Sequence, residues 1–405
     1  MDTRILEQID PRVLGARLQD ARKAAGMTQQ DVARHLDMAR TTIVAIEKGQ
    51  RRVNAHELVR LAVLYGRGVS EFVSRKVLVE GFVPQFRATE RELMDTDPAL
   101  ERAAVELQRL GEDYLELERI TKVPLSKSYP PPYDTSGTTP EQVGEEVATA
   151  ERNRLGIGDG PIGNLRDRLE NDVGLRVFYL AMPPRIAGMF AYNDEIGGAI
   201  SINANHPRDR RQWSLAHEYG HFLTTRYRPE ITLLHEKRRT SFRERVADSF
   251  AAVFLMPASG LNRRFTDLNR ASEKGITLAH ICSLADLYQV SVQALILRLE
   301  DLRRLPIGTW ERLAIEGFKV QQAEKLLSID ANPPLREHLP RRYVDLAIQA
   351  YRKGYLSEGQ LSKFLRTDRV SVRMEVEEFN RRIHREQDGE FPGLDLDLAL
   401  PLPGR

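Results

Sequence analysis

The sequence predicts a multidomain, mostly helical protein with one small β-sheet, and three observations carry that expectation. The chain has 405 residues, which at about 100 to 200 residues per domain means two or three folding units. Apolar residues recur at helical spacing along most of it, whereas strand-like runs are confined to residues 175–181, 188–192 and 198–203. A stretch rich in Pro, Ser and Thr at residues 124–140, with three consecutive prolines at Pro130, Pro131 and Pro132, favours extended chain and marks a boundary. The expected division is a head at 1–75, a connector at 76–140, a central domain at 141–305, a helical region at 306–390 and a loose tail at 391–405.

Composition narrows the function classes. Hydrophobic residues make up 41 % and charged residues 29 %, so the chain folds rather than remaining disordered. Apolar runs such as residues 250–256 fall far short of the about 20 residues a spanning helix needs, and Met1-Asp2 lacks a basic, then apolar, leader. A cytoplasmic protein with no membrane partner is expected. The single cysteine, Cys282, can neither close an internal disulfide nor build a thiolate cage. With 60 basic against 58 acidic residues, nucleic-acid binding must rest on a local excess, and residues 1–70 supply one, twelve basic against eight acidic, net +4.

Within that basic segment, residues 27–49 read as two amphipathic helices joined by a turn too short to be a linker, the spacing of a helix-turn-helix. Thr28 caps the first helix, and Gln29 stands where a side chain and a helix amino end can meet a phosphate. Ile43 and Ile46 face inward, while Arg40, Thr41 and Thr42 open the second helix, the end that enters a major groove; Lys48 completes the candidate DNA contacts. Further on, Asp97 and Pro98 start a helix to about Thr121 in which Leu100, Leu107 and Tyr114 alternate with Ala103, Leu110 and Leu117. This short heptad pattern leaves open a homodimer or packing against a neighbouring domain.

The chemistry-bearing segment is residues 210–224, a helix containing His217-Glu218-Tyr219-Gly220-His221. Residues four apart share a helix face, so both imidazoles can converge on one cation while Glu218 reaches the water it polarises. A third ligand appears in the helix at residues 242–255, where Glu244 and Asp248 lie four apart. Glu244 is the expected ligand, and Asp248 the acceptor of a ligand histidine's distal N–H. Two His, one Glu and an open position suit catalytic zinc, with manganese as the alternative. His206 and His235 read as surface residues, and His280 and Cys282 as core.

Two resemblances follow from these residues. Leu18, Arg22, Thr28-Gln29, Val32-Ala33, Leu36, Ile43, Ile46-Glu47 and Gly49 resemble Xre/Cro-type repressors, with two departures: Asp37 replaces the usual Gly, and Ala39 the usual Ser cap. Residues 141–302 are similar to ImmA/IrrE-type metallopeptidases, through Pro161-Ile162, Ile200-Ser-Ile-Asn203, the helix around His217-Glu218-Tyr219-Gly220-His221, Glu244 to Pro257, and Val290-Ser291. The resemblance implies a zincin-like α+β peptidase with metal on His217, His221 and Glu244 and Glu218 as general base. It implies helix-turn-helix repressors as substrates, in stress response, mobile-element induction or phage defence. A substrate strand is expected along an edge near residues 198–203. The function expected is therefore a regulator that binds double-stranded operator DNA and carries a zinc endopeptidase cutting a repressor or itself. A regulator using the peptidase-like fold as a ligand or metal sensor, and an antitoxin-like module, stand as alternatives.

Overall fold

The computed structural model describes residues 11–66 apart from Gly26, 98–136, 139–233, 241–329 apart from Lys274, and 338–388, together with Val69, Phe72, Phe82 and Phe86. His235 and the 391–405 tail lie outside the described residues. The chain divides into two compact units, Met1–Val79 and Glu80–Arg405.

The first unit is helical: α1 (Pro11–Ala24), α2 (Gln29–Leu36), α3 (Arg40–Glu47) and α4 (Ala55–Leu64). The apolar face anticipated from periodicity forms its core, with Leu18, Val32, Leu36, Ile43, Ile46, Leu58 and Leu61 buried together. Thr28 and Asn54 each cap a helix and receive a reciprocal bond from the residue three further on, Asp31 and Glu57, so two orphan amide groups are satisfied at each start.

The second unit is built around a four-stranded sheet. Helix α5 (Pro98–Thr121) leads into the proline-rich segment, followed by α6 (Pro140–Arg154), the short α7 (Leu165–Arg168) and a π turn at Leu169–Val173. Strands β1 (Arg176–Leu180), β2 (Ile186–Asn193) and β3 (Gly197–Asn203) precede α8 (Arg208–Thr225), and β4 (Glu230–Leu233) follows it. The strand order is β1-β3-β2-β4, parallel between β1 and β3 and antiparallel elsewhere, with Val177 opposite Ile200, Phe190 opposite Ile200 and Met189 opposite Ile231. Then come α9 (Phe242–Leu255), α10 (Ala258–Ala271), α11 (Leu278–Tyr288), α12 (Val292–Asp301), α13 (Thr309–Ile315) and α14 (Val320–Leu326), and finally α15 (Arg341–Arg352), α16 (Glu358–Leu365) and α17 (Arg369–Asp388).

Side-chain alternation along β1 puts different partners on the two faces of the sheet. Val177 joins Phe190, Ile200, Leu215, Tyr219, Phe222, Phe250 and Phe254 in the main core, so α8 and α9 cover one face. Phe178 meets Tyr114 of α5 and Tyr343 of α15 edge-on, at 6.4 Å between ring centroids in both cases. The heptad face of α5 is consumed by this packing: Leu100, Leu107, Leu110, Tyr114 and Leu117 are all buried within the unit. The proline-rich segment lacks regular structure yet is tied down. Ser128 N–H donates to Val173, Tyr133 N–H to Leu223 at the end of α8, and the Arg226 guanidinium to the Pro130 carbonyl.

Three expectations are corrected. β3 is an inner strand, paired with β1 on one side and β2 on the other, so no substrate edge exists at residues 198–203. His206 is 5 % exposed, because its Nε2 bonds the Pro184 carbonyl and its own carbonyl receives Arg211. Residues 230–233 form a strand inside a stretch expected to be helical, since four residues are too few to leave a period.

Candidate metal centre and DNA-reading helices

Helix α8 begins after Pro207 and carries His217 and His221 on one face, one turn apart. Helix α9 starts at Ser241, whose hydroxyl accepts the Glu244 N–H at 3.3 Å, placing Glu244 in the first turn. The two helices approach closely because Gly220 faces α9; a Cβ there would lie 3.1 Å from the Phe250 ring and 3.3 Å from the Ala247 Cα. Tyr219, next to it on α8, packs on Phe250 and Phe254 of α9 and also holds α8 to α6: its hydroxyl donates to Glu151 at 2.6 Å, and Glu151 also accepts Tyr133 and Arg154.

This packing brings His217, His221 and Glu244 together, with one potential ligand atom from each within 4.8 Å of the others. His217 Nε2 and His221 Nε2 are 3.1 Å apart, and the Glu244 oxygens lie 3.5 Å from His217 and 3.2 Å from His221. Two imidazoles on a tetrahedral zinc, at bonds of about 2.0–2.1 Å, would have their nitrogens about 3.3 Å apart. The donor set and its spacing fit such an ion. Asp248 Oδ1 is 3.0 Å from His217 Nδ1, the contact that orients a ligand imidazole in metal sites.

Glu218 lies beside this cluster, with both carboxylate oxygens buried and without a hydrogen-bond partner among the described residues. The buried Thr232 hydroxyl of β4 is a polar neighbour of that carboxylate. Gly188 of β2 makes room for the carboxylate; a Cβ at that position would stand 2.7 Å from Glu218 Oε1. Burial raises the Glu218 carboxyl to about 7, opposed by attraction to His221 and His217. Burial pulls the His217 imidazole down, but its bonds to Asp248 and Glu244 outweigh that and lift it to about 10. Glu244 is pushed up by burial and held well below the usual carboxylate range by the two histidines. Gly188, Thr232 and Glu151 were not singled out from the sequence: they come from other elements, and only the fold brings them to this helix.

In the first unit, α2, a three-residue turn and α3 form the helix-turn-helix. Asp37 adopts the left-handed conformation (φ 54°) that explains the usual glycine there, and Ala39 supplies no side-chain cap to α3. Arg40, Thr41 and Lys48 are exposed and Thr42 is half-buried. Gln29 is placed differently: its amide donates to Glu47 at 2.8 Å, and Glu47 also pairs with Arg22 through bonds of 2.6 and 3.1 Å. Burial pushes the Glu47 carboxyl up, while Arg22 and Gln29 hold it below its ordinary value.

Comparison with known proteins agrees with both readings. Residues 170–300 match the IrrE N-terminal-like domain, a peptidase family, and residues 13–72 match a helix-turn-helix domain family. No curated protein matches the chain. Among the described residues, no single helix is long and apolar enough to cross a membrane. The chain thus joins a helix-turn-helix DNA-binding domain to an ImmA/IrrE-type, metallopeptidase-like domain.

Proposed function

We propose that this protein is a DNA-binding transcription regulator whose second unit is a zinc endopeptidase, cutting a helix-turn-helix repressor or the chain itself in answer to a stress or mobile-element signal. The observation that carries the reading is the convergence of His217, His221 and Glu244 beside the buried Glu218 carboxylate. His217, His221 and Glu244 hold the ion, with manganese as the alternative to zinc. Zinc bound by this donor set supplies the Lewis acidity that makes water nucleophilic near neutral pH and polarises a carbonyl. Glu218 takes a proton from the attacking water at a carboxylate oxygen and returns it to the leaving amine. Asp248 accepts the His217 Nδ1–H and fixes the tautomer whose Nε2 is the ligand. Gly188 and Thr232 bound the space into which the Glu218 carboxylate projects. An extended substrate segment pairs with β4, the outermost strand on the Glu218 side of the sheet. Arg40, Thr41, Thr42 and Lys48 contact the operator.

Replacing Glu218 by Gln tests this reading. Elemental analysis should find the metal retained, while incubation with proteins encoded beside this one loses a cut that the parent makes; an equal cut by the variant removes Glu218 as base. A second reading, a sensor without proteolysis, draws on the burial of His217, Glu218 and His221, which are 1 %, 0 % and 0 % exposed. Operator binding that shifts with a small ligand and ignores Glu218→Gln would favour it.

A further inference from the structure

Cross-strand register decides what lies against the Glu218 carboxylate. Gly188 of β2 is opposite Ile202 of β3 on one side and Thr232 of β4 on the other, so the three positions form one row across the sheet. Residues paired in this way project to the same face. Ile202 belongs to the core that α8 covers, and the row therefore faces α8. In its middle Gly188 has no side chain, and the Glu218 carboxylate fills the gap: a Cβ there would stand 2.7 Å from Oε1 and 3.1 Å from Cγ. Directly opposed residues hold their Cβ atoms about 4.5–5.5 Å apart, which brings the Thr232 side chain to the flank of the carboxylate. Its hydroxyl is a polar neighbour of Glu218.

The residue type at 232 calls for a partner. Thr232 is 3 % exposed, and no other described residue offers its hydroxyl a bond. Valine has nearly the same shape and no polar group to desolvate, so at a buried strand position the hydroxyl is unfavourable unless something pairs with it. Glu218 has the complementary need. Both of its oxygens are buried without a partner elsewhere among the described residues. The terminal torsion of a glutamate is broad, so nothing intrinsic to the side chain fixes the plane of the carboxylate. A donor on one oxygen fixes that plane and leaves the other oxygen to take a proton.

We propose that Thr232 is the positioning residue of the candidate base: its hydroxyl donates to one carboxylate oxygen of Glu218 and so aims the other at the attacking water. The catalytic consequence rests on the peptidase reading, whereas the pairing itself does not. The threonine keeps its own proton. The proton taken from water resides on the opposite carboxylate oxygen until the leaving amine receives it. The oxygen facing Thr232 accepts in both protonation states, so the aim is held through the cycle.

Two measurements on the full-length protein test this. In the first, thermal melting closes a double-mutant cycle over Thr232→Val and Glu218→Ala. Thr232→Val should lower the midpoint where Glu218 is present, because it strands a buried carboxylate. It should not lower the midpoint in the Glu218→Ala background, where it removes a hydroxyl that has nothing to bond. Equal shifts in the two backgrounds overturn the pairing. In the second, the zinc-loaded protein is timed against the protein it cuts among those encoded beside it. Thr232→Val should lose about 10- to 100-fold in kcat, with KM and zinc content unchanged, and Thr232→Ser, which keeps the hydroxyl, should recover most of that loss. Parent kcat in the valine variant, or a serine variant as slow as the valine one, overturns the positioning role. A coupled cycle in a parent that cuts no protein upholds the pairing and sinks the peptidase reading instead, so the two failures are told apart.

Discussion

Glycine at position 188 is the residue on which the geometry of the candidate base turns. A methyl group there meets Glu218 at Oε1 and, at 3.1 Å, at Cγ, so Gly188→Ala should swing the carboxylate aside and leave the metal ligands untouched. Displacement by about 1 Å costs about a hundredfold in rate; full cleavage by this variant, with metal retained, would show that Glu218 works from elsewhere. A second residue-scale expectation concerns Glu170, which accepts the Tyr114 hydroxyl at 2.9 Å in the interior. Burial raises its carboxyl to about 7, with Arg166 and Tyr114 opposing. The folded protein therefore holds a proton that the unfolded chain has released. This contribution is full below the unfolded value of about 4.3 and is lost as pH rises to about 7, a change of a few kcal/mol, roughly. Denaturation midpoints at pH 5 and pH 8 should converge in Glu170→Gln; a difference as large as the parent's would remove Glu170 as the cause. The pairs His217 with His221 and Glu244 with Asp248 could be read in the sequence, because four-residue spacing fixes a helix face whatever surrounds it, and Glu218 adjoins the first pair. Gly188 and Thr232 could not, since strand residues reach that face only through sheet packing.

At the scale of elements, local signals foretold much and tertiary context decided the rest. The helix expected at residues 242–255 is α9 to the residue, because a serine cap and an apolar face mark both ends. Asp37 and Ala39 were legible as departures from a pattern, and each has a structural counterpart, a left-handed residue and an uncapped helix. Ala39→Ser should therefore stabilise the first unit by about 1 kcal/mol, measured by chemical denaturation; no gain would mean that α3 finds its cap elsewhere. The heptad face of α5 was equally legible, but its partner was not: periodicity reports that a stripe is covered, not by what. Here the cover is β1, β3 and α15, so no dimer is needed to bury it.

At the scale of the whole molecule, the second unit is closed by charges as well as apolar contacts. Arg176, fully buried on β1, makes two 2.8 Å bonds to Glu118 of α5, and Arg342 of α15 reaches the same carboxylate at 3.2 Å. One acid thus joins connector, sheet and C-terminal helices. Removing it strands a buried guanidinium, so Glu118→Ala should destabilise the second unit by about 3–5 kcal/mol, read from its unfolding transition; a loss below 1 kcal/mol would reduce this junction to decoration. Nothing in the sequence announced the trio, whose members lie on three elements far apart along the chain.

The stretch with three prolines bears on how this protein can be divided. Composition suggests a place to cut, yet Ser128, Pro130 and Tyr133 are fastened to the π turn and to the end of the helix bearing both histidines. A fragment begun at residue 141 would leave the Leu223 carbonyl and the Arg226 guanidinium without these partners, and a protease searching for slack would be turned away there. What looks like a hinge behaves as a buckle.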